Sequence, residues 1–231
     1  MNFPDRYIEW EAAVRSGLKH RIEIEILHGT DVNQCFGDLE DTALHIACIH
    51  GDISVIILLI ENGADVNRKN LNLKTPLHIA ALHRNYDAVD LLIKHGALKN
   101  ELDWWGDSPV GVCLNNPRMV KFLIEHGCSV FTKEPHQYSV LNQAINVGNT
   151  ETVRLLLQQG MDPRCPEPNG HDQFHRLHAV KDEIASILLK TAFNLDEAES
   201  KIRLCSSKRR CECEYENRKL KTKPRHSLYE S

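Results

Sequence analysis

The sequence predicts an all-α repeat solenoid of helix–turn–helix units, and three observations carry that prediction. The first is a period: Thr42 to Thr75 is 33 residues, Thr75 to Ser108 is 33, and Gly63 to Gly96 is 33. The second is a helix-opening signature, Thr75-Pro76-Leu77-His78-Ile79-Ala80-Ala81, with a copy before it at Thr42-Ala43-Leu44-His45-Ile46-Ala47. The third is an apolar run in each unit that stops at glycine, Val89-Asp90-Leu91-Leu92-Ile93-Lys94-His95-Gly96 and Leu58-Leu59-Ile60-Glu61-Asn62-Gly63. A fixed period of this length marks a repeat architecture, in which no unit buries its apolar face alone.

Each residue type in the unit has a physical task. Thr or Ser ahead of a helix accepts hydrogen bonds from the unpaired amides of the first turn, and Pro at the first helical position gives up no needed donor. Paired alanines keep the first helix thin, so that neighbouring units approach closely. The second helix carries Val and paired Leu at helical spacing, which build a continuous core. On that reading Leu91 is a buried core residue, and its truncation costs more than that of Leu188 in the degenerate last unit. Gly63, Gly96, Gly127 and Gly160 close the second helices, where a left-handed backbone is cheapest for glycine.

Weaker copies stay in register. The fourth runs from Asp103-Trp104-Trp105-Gly106-Asp107-Ser108-Pro109 to Val120-Lys121-Phe122-Leu123-Ile124-Glu125-His126-Gly127. Ser108 to Ser139 is only 31 residues, a loss of two placed at the turn around Asn115-Asn116-Pro117. The fifth runs from Ser139-Val140-Leu141-Asn142-Gln143-Ala144 to Leu155-Leu156-Leu157-Gln158-Gln159-Gly160. The sixth, from Asp172-Gln173-Phe174-His175 to Ile187-Leu188-Leu189, is recognised by position alone. At the start, Trp10 to Gly17 and Ile22 to Asn33 fit a first unit without its hairpin, with Glu9, Glu11, Arg15 and Lys19 on a polar outer face.

With its Thr-Pro-Leu-His opening and 33-residue period, the chain resembles the ankyrin-repeat family over residues 8–190. The resemblance implies five to six repeats, each ending in a short β-hairpin finger, stacked so that finger tips and first helices form a concave recognition face. The expected organisation is an N-terminal capping repeat at 1–34, repeats two to six at 35–195, a capping helix at 196–205, and a basic, disordered tail at 206–231.

Composition is consistent with one elongated domain: 231 residues, 42% hydrophobic. The longest apolar run, Val55 to Ile60, is far too short to cross a bilayer. Met1-Asn2-Phe3-Pro4-Asp5-Arg6 lacks the basic start and apolar stretch of a signal peptide. Eight scattered cysteines read as reduced, intracellular thiols. The net charge is −4, yet residues 200–231 hold ten Lys/Arg and four Glu, leaving −10 for residues 1–199.

The resemblance places the candidate partner-binding residues at the finger tips and the ends of the first helices. They are Leu71, Asn72 and Lys74; Leu82 and His83; Trp104, Trp105 and Asp107; and His136, Gln137 and Tyr138. Large rigid aromatics such as Trp104 and Trp105 dominate binding hot spots; the competing reading has Trp105 packed against the neighbouring finger. Ile49 and His50 occupy first-helix positions nearby.

Other motifs give way to plainer readings. His45, His78 and His175 recur once per repeat and so form a ladder; by the resemblance, each bonds backbone between repeats. Catalysis needs side chains in mutual reach. Cys205, Cys211 and Cys213, with His226 beyond, raise the question of zinc. Yet Cys211-Glu212-Cys213 has one residue between its thiols where structural zinc pairs have two to four, and no second pair follows it. Lys208-Arg209-Arg210 and Arg218 to Arg225 suggest nuclear import, and lack interleaved aromatics beyond Tyr215 and Tyr229 to stack bases. Leu59, six residues before Asp65-Val66-Asn67, resembles a pattern that marks Asn67 for hydroxylation. No phosphate-cradling loop or hydrolase motif is present.

The sequence therefore points to a non-enzymatic, cytoplasmic adaptor, able to enter the nucleus, that binds a protein partner. It points away from a cofactor, a small-molecule substrate, nucleic acid and membrane. Two alternatives stand beside it. One is a substrate-recognition subunit of a cullin ubiquitin ligase, with Ile202-Arg203-Leu204-Cys205-Ser206 as a degenerate docking box. The other is sequestration of a transcription factor in the manner of the inhibitors of NF-kappa-B, which the acidic body suits.

Overall fold

A computed structural model describes residues 3–131, 140–161, 163 and 182–192. The opening of the expected sixth repeat (Asp172 to His175), His136, Gln137 and Tyr138, the capping helix at 196–205 and the tail at 206–231 lie outside the described residues. The chain divides into two compact units, Met1–Val130 and Phe131–Ser231.

In the first unit the helices come in consecutive pairs: α1 (Phe3–Ser16) with α2 (Lys19–Leu27), α3 (Ala43–His50) with α4 (Ile53–Glu61), and α5 (Pro76–Leu82) with α6 (Tyr86–Lys94). A 3₁₀ turn at Gly111–Cys113 then precedes α7 (Pro117–Glu125). The first members α1, α3, α5 and the 3₁₀ turn pack in one row, and α2, α4, α6 and α7 in a second. In the second unit α8 (Val140–Val147) packs on α9 (Thr150–Gln158), and α9 on α10 (Asp182–Ala192).

The caps follow the sequence. Thr42 and Thr75 hold an extended backbone and form reciprocal capping boxes with His45 and His78, whose rings take the place of the usual Glu; Pro76 opens α5. Three of the second helices, α4, α7 and α9, start on side-chain caps. Asp52 Oδ1 accepts from the Ser54 and Val55 amides at 3.1 and 3.2 Å, Asn116 from Met119, and Asn149 from Thr152. Gly63, Gly96, Gly127 and Gly160 follow the second helices with φ of 88°, 86°, 82° and 86°.

Of the three buried positions in each of α4, α6, α7 and α9, two hold a branched aliphatic side chain throughout. Ile56, Val89, Val120 and Val153 occupy one, and Leu59, Leu92, Leu123 and Leu156 the other, all at 0% exposure. Enclosing each such side chain contributes about 1.5–3 kcal/mol. The expectation for Leu91 is corrected here. Leu91 is half-buried, because adjacent helical residues point about 100° apart and only the second leucine of the pair faces inward. Leu188, expected to matter less, is fully enclosed.

The fourth unit also departs from the helix–turn–helix expectation: its first helix is reduced to the 3₁₀ turn. The two missing residues shorten the stretch before α7, and Gly111, a poor helix former, stands within it. Of the expected hairpin fingers, one is a strand pair, β1 (Cys35–Phe36) with β2 (Asp41–Thr42), antiparallel with Cys35 opposite Thr42. The next two are turns closed by side chains. Asn70 Oδ1 accepts from the Asn72 and Lys74 amides at 3.0 and 2.9 Å, and Asp103 Oδ1 from the Trp105 and Asp107 amides at 2.9 Å each. These local bonds supply the partners that a longer ladder would have given.

Candidate functional site

Three ladders of hydrogen bonds set where the finger tips lie. His45 Nδ1 accepts from the Thr42 amide at 3.1 Å, and His78 Nδ1 from the Thr75 amide at 3.1 Å. That assigns the ring proton to Nε2, which donates to the Lys74 carbonyl (3.0 Å) and the Asp107 carbonyl (3.1 Å) of the next finger. Both rings are fully enclosed. Burial lowers the pKa of His45, against weaker opposing bonds and charges, and takes that of His78 down to about 4. The expected bond between repeats is therefore present at both histidines, and both rings are neutral.

A second ladder runs through asparagines at the bases of the loops. Asn33 Nδ2 donates to the Gly63 carbonyl (3.0 Å) and its Oδ1 accepts from the Asp65 amide (2.8 Å). Asn67 repeats this with Gly96 (3.2 Å) and Leu98 (2.8 Å), and Asn100 Oδ1 accepts from the Ser129 amide (2.7 Å). Asn67, the candidate for hydroxylation, is thus a half-buried bridge between repeats.

The third ladder joins the tips. The Leu71 amide donates to the Leu39 carbonyl (2.8 Å), and the Trp104 amide to the Asn72 carbonyl (2.9 Å). Asn70 Nδ2 donates to Asp41 Oδ1 (2.8 Å), and Lys74 Nζ forms an ion pair with Asp103 Oδ2. The Asp103 side chain is fully enclosed and that of Lys74 is 14% exposed, so Lys74 is turned inward.

Against that frame Trp104 is 70% exposed and Trp105 62%. Lys74 Nζ lies 5.0 Å from the centre of the Trp105 ring, a cation–π contact bracing that indole from the preceding finger. Leu71 is exposed, Asn72 half-buried, and Asp107 half-buried with its carbonyl and amide both bonded. Leu82 and His83 lie exposed at the end of α5, and His50 at the end of α3, with Ile49 half-buried beside it. Trp104, Trp105, Leu71 and Asn72 therefore come together on linked tips. His136, Gln137 and Tyr138 fall outside the described residues.

Sequence reasoning passes over Leu39, Glu40 and Leu73, all exposed on the same tips. Glu40 and Leu73 hold φ of 54° and 55°, in the left-handed region, at the position that Gly106 fills in the third finger with φ of 81°. A signal was available: each stands two residues before its helix cap, where Gly106 stands before Ser108.

Cys48, Cys113 and Cys128 are buried free thiols. Burial raises the pKa of Cys48 far above the ordinary thiol value; it also takes Cys113 to about 12, with Cys128 adding to the shift, and Cys128 to about 11. These are unreactive packing groups. Among the described residues no group of three or more His, Cys, Asp or Glu side chains is placed to hold a metal ion, and no helix is long and apolar enough to cross a membrane.

The family model of ankyrin repeats, in three copies, matches residues 11–103. Palmitoyltransferase ZDHHC13 of Mus musculus is 32% identical over 217 residues, 90% of this chain and 34% of the relative. Ankyrin repeat and SOCS box protein 6 of Homo sapiens is 30% identical over 171 residues, 68% of this chain and 32% of the relative. E3 ubiquitin-protein ligase HACE1 of Xenopus tropicalis is 37% identical over 60 residues, 25% of this chain and 7% of the relative. The chain spans about a third of the length of the first two. With the 33-residue period, the Thr–His capping boxes and the finger ladders, these matches identify the chain as a member of the ankyrin-repeat family.

Proposed function

We propose that the chain is a non-enzymatic, cytoplasmic adaptor of five to six repeats that docks one protein partner on its linked finger tips. The observation that carries this reading is the adjacent pair Trp104 and Trp105, exposed at 70% and 62% on a backbone pinned from both sides. Exposed large apolar groups mark interaction surfaces, and tryptophan on a rigid backbone loses little entropy on binding. Leu71 and Asn72 lie on the adjoining tip, with Leu82 and His83 behind it at the end of α5. Lys74 and Asp107 hold the tips in place.

A second reading is a substrate-recognition role in ubiquitin transfer. It is favoured by the relatives, one named for a SOCS box and another a ubiquitin ligase, and by the box-like Ile202 to Ser206. An affinity pull-down with the full chain and with a chain ending at residue 195 tests both. A partner retained by both forms, and lost with Trp104→Ala plus Trp105→Ala, supports the adaptor. Elongin or cullin captured by the full chain alone supports the ligase role.

A further inference from the structure

We infer that the finger tips are shaped for a Lys- or Arg-bearing protein segment with an apolar anchor, the basic residue lying against Asp38 and Glu40 and the anchor against Leu71, Leu73 and Trp104. The inference rests on the adaptor reading and adds the chemistry of the partner.

The charge of the tips is one-sided. Residues 37–41, 70–74 and 103–107 carry five carboxylates and one ammonium. That ammonium, Lys74, is held by the enclosed Asp103, and the Asp41 carboxylate accepts from Asn70. Asp38 and Glu40 are exposed on the first finger, next to exposed Leu39. At the base of the second finger Lys69 is paired with Glu101 at 2.7 Å, and exposed Arg68 stands beside it. Asp38 and Glu40 therefore give the first tip its outward carboxylates, with the Arg15 guanidinium near Gly37 already paired to Glu11 at 2.8 Å. The exposed large groups on the tips beyond it are Leu71, Leu73 and the two indoles.

Backbone strain points to the same residues independently. At the position where the third finger uses Gly106, the first two hold Glu40 and Leu73 in left-handed conformations. Side chains resist that conformation, and such strain is kept where a residue is needed in place. Burial does not offset it here: Leu73 is 39% exposed, and Glu40 is exposed. The two strained positions present an acid on one tip and an aliphatic group on the next, and exposed Trp104 continues the apolar stretch. A Lys or Arg side chain matches this order, since its stem packs on apolar groups while its head meets carboxylates. The open indole face also receives cations.

Fluorescence anisotropy with the full chain tests this, using two dye-labelled peptides of equal length, one alternating leucine with arginine and one alternating leucine with glutamine. The expected result is at least roughly tenfold tighter binding of the arginine peptide at low salt, narrowing at about 0.5 M salt as exposed charges are screened. Asp38→Asn with Glu40→Gln should remove roughly tenfold of that affinity while leaving the glutamine peptide and the melting temperature unaltered. Trp104→Ala should weaken both peptides. Equal binding of the two peptides, or an arginine-peptide affinity untouched by the Asp38 and Glu40 changes, overturns the basic partner. If Trp104→Ala still weakens both peptides in that event, the docking surface stands without it. If neither peptide responds to Trp104→Ala, the docking surface falls as well.

Discussion

The ring of His78 has both nitrogens committed, one accepting from the Thr75 amide and the other donating to the Asp107 carbonyl. Burial disfavours the charged ring and takes its pKa down to about 4 from the ordinary 6.5, against the opposing pull of the Asp107 carbonyl. Above pH 6.5 the ring is neutral folded or unfolded, and stability does not depend on it. Between 6.5 and 4 the unfolded chain takes up a proton that the folded chain refuses, so stability falls with pH, by about 3 kcal/mol at pH 4. His45 is shifted the same way and adds to the loss. Urea midpoints at pH 7 and pH 4.5 should show this decline, with a shallower slope in His78→Asn; equal midpoints would mean that the rings are not held neutral. Lys74 makes a second residue-scale test. Lys74→Met strands the enclosed Asp103 carboxylate and should cost about 2 kcal/mol of stability, softened by the two amides that Asp103 Oδ1 still accepts. Unchanged thermal melting of that variant would show that Lys74 is no brace.

At the scale of the element, α4, α6, α7 and α9 each place one fully enclosed leucine in the core beside an enclosed Val or Ile. Leu92→Ala should cost about 2–5 kcal/mol, and Leu91→Ala clearly less, since only Leu92 leaves a closed cavity. Leu188→Ala should resemble Leu92→Ala. Denaturant melts in which Leu91→Ala is the more damaging of the neighbouring pair would place the helix one residue out of register. The period, the Thr caps and the closing glycines were legible in the sequence because each is a local device recurring at fixed spacing. Which member of Leu91-Leu92 turns inward was not, because both satisfy an apolar pattern and the choice depends on the neighbouring repeat. The reduction of the fourth unit's first helix was half legible: the two-residue loss is visible in the spacing, and its consequence depends on Gly111 and on how α7 is capped by Asn116.

At the scale of the whole molecule, the candidate surface comes from bonds that cross repeats, and those are where sequence reading reaches its limit. The exposed tryptophans could be found because the repeat pattern leaves their positions free. The Lys74–Asp103 pair, 29 residues apart, has no local signature, and neither does the enclosure of Asp103. Glu40 and Leu73 were overlooked because their left-handed backbone is signalled only by their alignment with Gly106 and not by the residues themselves. The ladders and the core make the fold, and the proposed recognition surface lies on the outward tips. The most direct test is a pair of binding isotherms, wild type against Trp104→Ala with Trp105→Ala, using a partner captured by the full chain, with thermal melts of both proteins. The account predicts a loss of at least about 2 kcal/mol in binding, with a smaller change in stability than Leu92→Ala produces. Isotherms that overlay would contradict it and move the interface away from the finger tips.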